Sequence, residues 1–334
     1  MPNQNNCLGC GTLKQSNNKD ELGYVINVTH DYCLDCFKLA NYGENKTHRH
    51  PEKYLDIKEN SLVLILQSVM QLDLLFSLPI ERIQPNAKYI YVINQLDLLP
   101  KDTNLDHLYN NIHLLAKKNR VSYEDIIFMS ALNPGDIENL KDYLLNQKAK
   151  DIYLFGFQNS GKTTIMKGLT NNKTALNINK AGLTQNTIVE QLGDKVLHDM
   201  PGTYVEGYLS DFLPYESYSR MLPKKNIRPK IYQLKNTQKL VVNDLVEIEF
   251  KGLDVTTLVM YLNPVNQITK YNIKNENNYL SEDLEFTQRT FKTFKTKTHI
   301  TIGDLMFIQV NDPINITIKA PKGMHLTMSE SLLK

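Results

Sequence analysis

Near the middle of the chain stands Gly156-Phe157-Gln158-Asn159-Ser160-Gly161-Lys162-Thr163, which fits the phosphate-loop pattern G-x-x-x-x-G-K-T. Such a loop works only between a buried strand and the first turn of a helix, where backbone N–H groups converge on phosphate oxygens. What precedes it narrows the fold further. Asn94-Gln95-Leu96-Asp97 fits the guanine-reading signature N-x-x-D, and Ser130-Ala131-Leu132 fits its usual companion. In an ordinary GTPase both follow the phosphate loop; here both come first. The expected fold is α/β, with a P-loop GTPase core whose segments run in circularly permuted order, G4-G5-G1-G2-G3.

The hydrophobic pattern supplies the strands that this core needs. Leu62–Leu66 and Tyr89–Ile93 read as buried strands, the second delivering Asn94. Asp125–Met129 reads as a third and ends at Ser130. Ile152–Phe155 reads as a fourth and runs into the phosphate loop, with a helix from Thr163 to Leu169. Leu105, Leu108, Ile112 and Leu115 mark one helical face; Ile137, Leu140 and Leu144 mark another. Ile188–His198 reads as a hairpin turning at Gly193-Asp194 and delivering Asp199. Alternating strands and helices predict a parallel sheet covered on both faces, with the signature residues at strand C-terminal ends. The expected domains are a zinc-binding module over 1–50, the permuted GTPase domain over 51–208, a connector over 209–229 and a mostly β domain over 230–334.

Each motif supplies a definite piece of chemistry. Gly156, Asn159, Ser160, Gly161, Lys162, Thr163 and Thr164 form the phosphate site, with the Lys162 ammonium between β- and γ-phosphates and the Thr163 hydroxyl on Mg²⁺. Asp199-Met200-Pro201-Gly202 fits the switch signature D-x-x-G: the carboxylate holds Mg²⁺ through water and the Gly202 N–H senses the γ-phosphate. In the loop Leu183–Thr187, Thr187 is the expected residue that closes over the γ-phosphate and completes the Mg²⁺ shell, with Thr184 in reserve. Asp97 accepts from guanine N1–H and the 2-amino group, donors that adenine lacks, so a carboxylate here selects GTP. Asn94 braces the loop and reaches the base, and Ser130 and Ala131 are the companion motif's candidate GTP-binding residues. Gln95 stands where lysine is usual, which removes a charge from the base site.

All four cysteines lie in the first 36 residues, as Cys7-x2-Cys10 and Cys33-x2-Cys36. Two close pairs about 22 residues apart suit tetrahedral zinc, and four thiolates would close the coordination sphere, making the ion structural. Buried thiols and two disulfides are the competing readings, and His48 and His50 are possible substitute ligands. The net charge of +2 gives no prior for nucleic acid, yet Arg220–Lys334 holds 17 basic against 11 acidic residues, a hint of a polyanion partner. Lys224, Lys225 and Phe291–Lys297 are candidate contacts, the latter also readable as an exposed strand face. No basic, apolar leader opens the chain, and Gln67, Gln71 and Asp73 interrupt its longest apolar run. A cytoplasmic protein with no membrane and no DNA partner is expected.

The whole arrangement resembles the bacterial circularly permuted GTPases of small-subunit ribosome assembly, the YqeH type. Three segments carry the likeness: the cysteine module, Cys7–Gln15 with Cys33–Leu39; the guanine-first order; and Leu222-Pro223-Lys224-Lys225-Asn226-Ile227-Arg228-Pro229-Lys230, which is similar to the family's connector. The resemblance implies GTP hydrolysis coupled to maturation of the small ribosomal subunit or its precursor, with rRNA as a contact. It also implies that Asn159 coordinates K⁺ beside the phosphates, and that Lys162, Asn159 and Thr187 carry a slow, potassium-stimulated hydrolysis without a catalytic glutamine. Gln95, Met200, Thr184–Thr187 and Gln67–Gln71 depart from the family pattern. They leave open a second reading, an rRNA-binding assembly factor with a degenerate, barely hydrolytic nucleotide site.

Overall fold

The computed structural model describes residues 7, 13–19, 23–27, 29–30, 32–34, 57–77, 80, 83–170, 187–274, 279–293 and 297–333. They form two compact units. The first gathers Met1–Val69, Leu75–Leu96 and Lys118–Val205; the second gathers Met70–Leu74, Asp97–Lys117 and Glu206–Lys334.

The sheet of the first unit consists of β1 (Leu62–Ser68), β2 (Lys88–Asn94), β3 (Asp125–Phe128), β4 (Asp151–Gly156), β5 (Ile188–Leu192) and β6 (Lys195–Asp199). Their spatial order is β3-β2-β1-β4-β6-β5. All neighbours pair in parallel except β5, which folds back antiparallel on β6 around Gly193 at φ +60°. Every residue of β1 is buried. A central parallel strand covered on both faces has no polar side, which is why its sequence is an unbroken apolar run. Strand order reverses between β1 and β4, and in open sheets such a reversal leaves a crevice at the strand C-termini where ligands bind.

Three helices lie along this stretch of chain, and the second and third share a core with the sheet. Helix α1 (Leu105–Asn119) falls mainly in the second unit and buries Leu108, Ile112 and Ala116, while Leu105 is exposed. The apolar face expected from Leu105 and Leu115 is therefore rotated onto the i, i+4, i+8 row. Helix α2 (Pro134–Leu145) starts at Asn133, whose side chain accepts from the Gly135 N–H, with Pro134 in the first turn. Helix α3 (Lys162–Thr170) follows the phosphate loop. Ile137, Leu140 and Leu144 of α2 and Ile165, Met166 and Leu169 of α3 share one core with Leu64, Val92 and Leu154 of the sheet.

The second unit is mostly β. Its strands are β7 (Lys230–Lys235), β8 (Gln238–Val242), β9 (Val246–Lys251), β10 (Val255–Leu262), β11 (Ile268–Asn272), β12 (Phe286–Lys292), β13 (Thr298–Ile302), β14 (Met306–Val310), β15 (Asn315–Pro321) and β16 (Leu326–Glu330). They make two antiparallel sheets, β16-β13-β14-β10-β7 and β11-β8-β9-β15-β12. Alternate residues such as Ile248, Phe250, Leu258, Met260, Ile300 and Ile316 meet in one core. Phe291 of β12 is buried at 6% exposure, so it is not the base-stacking aromatic that its Lys-rich neighbourhood suggested; Lys292 beside it is exposed. Residues 294–296 lie outside the described residues.

The segment 209–229 contains more structure than a bare connector: a 3-10 turn at Leu209–Asp211 and helix α4 (Tyr215–Met221), whose Tyr218 is buried. Just before it, Gly207 adopts φ +84° where a Cβ would lie 2.3 Å from the Gly323 carbonyl oxygen. Only glycine fits there. The Leu209 N–H donates to buried Asp304 at 2.8 Å. Nearby, the Asp73 carboxylate accepts from His325 Nε2 at 2.8 Å and from the Thr327 hydroxyl at 2.7 Å. Among the described residues no helix is long and apolar enough to cross a membrane.

Candidate nucleotide site

The phosphate loop begins where β4 ends. Gly156 takes φ +150°, and a Cβ on it would sit 2.2 Å from the Leu66 carbonyl oxygen of β1, so the loop leaves its strand pressed against the neighbouring backbone. Asn159 and Gly161 also have positive φ, +65° and +91°. Here the base-reading strand comes in. Asn94, fully buried at the end of β2, donates through Nδ2 to the Ser160 carbonyl at 2.8 Å, and its Oδ1 accepts from the Ala131 N–H at 2.9 Å. A Cβ on Gly161 would lie 2.2 Å from Asn94 Nδ2. Asn94, Ala131, Ser160 and Gly161 thus form one hydrogen-bonded knot, although 66 residues separate Asn94 from Ser160. In a trans peptide the N–H opposes the C=O, so holding the Ser160 carbonyl turns the Gly161 N–H the other way, away from Asn94.

Lys162 and Asp199 form the charged centre. Lys162 is 6% exposed; its ammonium donates to the carbonyls of Gly156 at 3.0 Å and Phe157 at 2.9 Å. Burial pulls its pKa down to about 8, partly offset by the charge of Asp199. Asp199, fully buried at the end of β6, is pushed up to about 6 by burial, opposed by Lys162 and by a hydrogen bond from the Thr163 hydroxyl at 2.9 Å. Its Oδ1 has no hydrogen bond among the described residues. A buried carboxylate with an open oxygen, bonded to a threonine hydroxyl, is a donor set that suits a hard divalent cation such as Mg²⁺.

The switch segment is zipped onto the loop. The Thr203 N–H donates to the Gly156 carbonyl at 3.1 Å, and the Gln158 N–H donates to the Thr203 carbonyl at 3.0 Å. Gly202 lies beside Lys162: a Cβ there would be 3.0 Å from Nζ. Sequence reasoning gave Thr203 no such role, because a parallel bridge between residues 157 and 203 leaves no local pattern.

Other expected residues are placed as follows. Ser130 donates its N–H to Asp136 in the first turn of α2, and its hydroxyl accepts from the Leu132 N–H at 3.2 Å. Thr164 is half-buried on α3. Asp97 stands in the 3-10 turn Leu96–Leu98, directly after Gln95. Thr187 is exposed, one residue ahead of the β5–β6 pairing of Ile188 with Asp199, and its hydroxyl is 3.5 Å from Met200 Sδ. Thr184 lies outside the described residues, as do His48 and His50. Of the cysteines, Cys7 and Cys33 are buried, and the Cys33 N–H donates to Cys7 Sγ at 3.1 Å. Cys10 and Cys36 lie outside the described residues.

Comparison with known proteins agrees with this geometry. The 50S ribosome-binding GTPase family matches residues 151–240, beginning at the first residue of β4 and taking in the phosphate loop and Asp199–Gly202. YqeH of Bacillus subtilis is 24% identical over 98% of this chain and 99% of its own length. A GTP-binding protein of Methanocaldococcus jannaschii is 25% identical over 55% of this chain and 49% of its own. The mitochondrial genetic interactor of prohibitins 3 of Scheffersomyces stipitis is 24% identical over 47% of this chain and 24% of its own. The near-full-length similarity to YqeH and the GTPase-domain match together support a YqeH-type GTPase.

Proposed function

We propose that this chain is a circularly permuted GTPase that assists assembly of the small ribosomal subunit, with its nucleotide state controlling association with the pre-ribosomal particle. The observation that carries the reading is the knot of Asn94 with Ser160, Gly161 and Ala131. The segment with the guanine signature is locked to the phosphate loop although it precedes it in the chain. Asp97 then reads the guanine edge and Lys162 neutralises the phosphates. Bound magnesium would supply positive charge against the phosphates, and Thr163 and Asp199 are the residues that would hold it, with Thr187 as the further expected ligand. Asn159 would hold potassium, favouring slow hydrolysis that the cation speeds. The four cysteines would hold a structural zinc; the Cys33 N–H bonded to the Cys7 sulfur is the kind of donor that steadies a metal-bound thiolate.

A ribosomal partner is supported by the family description, which names the 50S particle; the small subunit and its rRNA are what the resemblance of the sequence motifs to the YqeH type implies. The exposed Lys224 and Lys225 would contact phosphates. The second reading, an RNA-binding factor with a barely active site, loses one support in the burial of Phe291.

Purified full-length protein should bind GTP in preference to ATP and hydrolyse it slowly, faster in potassium than in sodium. It should co-sediment with small-subunit precursors in one nucleotide state and not the other. Equal affinity for ATP would overturn the nucleotide assignment. Equal rates in both salts would remove potassium from Asn159, and co-sedimentation with the large subunit alone would move the partner to the 50S particle.

A further inference from the structure

Gln95 does not simply lack a lysine's charge. Its backbone is left-handed, φ +66°, a conformation unfavourable for a non-glycine residue that persists where surrounding contacts fix it. Its side chain is bonded at both ends of the amide. Nε2 donates to the Asn159 carbonyl in the phosphate loop at 3.1 Å, and Oε1 accepts from the hydroxyl of Ser68. Ser68 is the last residue of β1, is buried, and pairs in register with Asn94. Asn94 and Gln95 thus hold the consecutive carbonyls of Ser160 and Asn159.

Chemistry fixes the direction of the two bonds. A carbonyl oxygen can only accept, so the NH₂ end of the amide must face Asn159, and the oxygen end is left for the Ser68 proton. The Asn159 carbonyl therefore orients the amide, and the Ser68 hydroxyl donates to the oxygen end so presented. A lysine has donors only and could not accept from Ser68.

We propose that Ser68 and Gln95 act as one positioning unit that holds the phosphate loop in its nucleotide-ready form without a cation, and so sets how long a guanine nucleotide stays bound. The inference rests on the nucleotide-site reading. Both bonds of the pair are spent on protein atoms, and the guanine edge is assigned to Asp97. The unit therefore governs residence time, not base choice.

The test is a double-mutant cycle on full-length protein, reading release of a fluorescent GDP analogue and the ratio of GTP to ATP affinity. Failure of wild-type protein to bind any guanine nucleotide would strike the proposed function and leave this cycle without its subject; the outcomes that follow concern the pair alone. Ser68→Ala and Gln95→Ala should each speed release about five- to tenfold, the size of one or two lost hydrogen bonds. The double variant should be no faster than Gln95→Ala, because Ser68 acts through the amide. Gln95→Glu keeps the acceptor for Ser68 but sets a carboxylate against the Asn159 carbonyl, so its release should be faster than that of Gln95→Ala. The GTP-to-ATP ratio should stay at the wild-type value throughout. Unchanged release in Ser68→Ala, multiplicative effects in the double variant, release in Gln95→Glu no faster than in Gln95→Ala, or an eroded GTP-to-ATP ratio would each overturn the proposal.

Discussion

The two units each bury a carboxylate against cationic or polar partners, and they do so to opposite effect. Asp199 in the first unit is pushed up by burial, and neither Lys162 nor Thr163 fully compensates. Asp73 in the second unit faces the same burial, yet hydrogen bonds from His325 and Thr327 hold it below the usual carboxylate range. Each keeps one oxygen without a hydrogen bond among the described residues, so that detail does not separate them. What separates them is the balance of charge. Around Asp73 the protein supplies enough compensation itself. Around Lys162 and Asp199 two ions are dried out and left short, as expected where a charged ligand completes the set. The first cluster is arranged for an incoming polyanion and its metal, the second for holding the fold.

The sharpest way to break this contrast is a double dissociation. Lys162→Ala should cut GTP turnover by about 10³-fold or more while thermal stability changes little, because the burial cost of the ammonium and its attraction to Asp199 are lost together. A drop in melting temperature would make Lys162 a structural residue. Asp73→Ala should do the reverse. Losing the acceptor shared by His325 and Thr327 should cost about 3 kcal/mol in urea unfolding and leave GTP affinity unchanged. A normal urea midpoint would show that the second cluster contributes little to holding its unit together.

A smaller effect sharpens the comparison through pH. His299 is buried, stacks on Phe307 with ring centroids 4.4 Å apart, and is pulled down to about 4 by burial, partly offset by Asp73. Below pH 6.5 the unfolded chain takes a proton that the folded chain refuses, so stability present above 6.5 is lost as pH falls towards 4. Asp304, pushed up to about 6 by burial, works in the opposite sense and loses stability as pH rises through 6. Subtracting the profile of His299→Phe from that of wild type cancels the Asp304 part. The remainder should fall by about 1–2 kcal/mol between pH 7 and pH 5. A flat difference would mean that His299 is already charged in the folded state.

The parts legible in the sequence were those written in local pattern. Buried parallel strands show as apolar runs, so β1, β2 and β4 stand close to where Leu62–Leu66, Tyr89–Ile93 and Ile152–Phe155 put them. Gly193-Asp194 announced its hairpin, and Asn94, Lys162, Thr163 and Asp199 stand at strand ends or a helix start as their motifs require. What stayed hidden was non-local. Ser68 bonds to a residue 27 positions away, Thr203 bridges to Phe157, and Asp73 meets His325 across 252 residues. Gln95 read as a loss because its residue type changed, while the bond it keeps depends on where Asn159 lies. Helix α4 was missed because seven residues after a proline give too short a period to detect.

That the second unit draws on Met70–Leu74 and Asp97–Lys117 as well as on everything after Glu206 bears on how the chain is made. A ribosome releases the polypeptide from its amino end, and domains ordinarily close in that order. Here two early stretches must wait, with Asp73 lacking its histidine, until the last strand has left the tunnel. Any truncated product that stops short of His325 lacks both partners that hold the Asp73 carboxylate below its usual range.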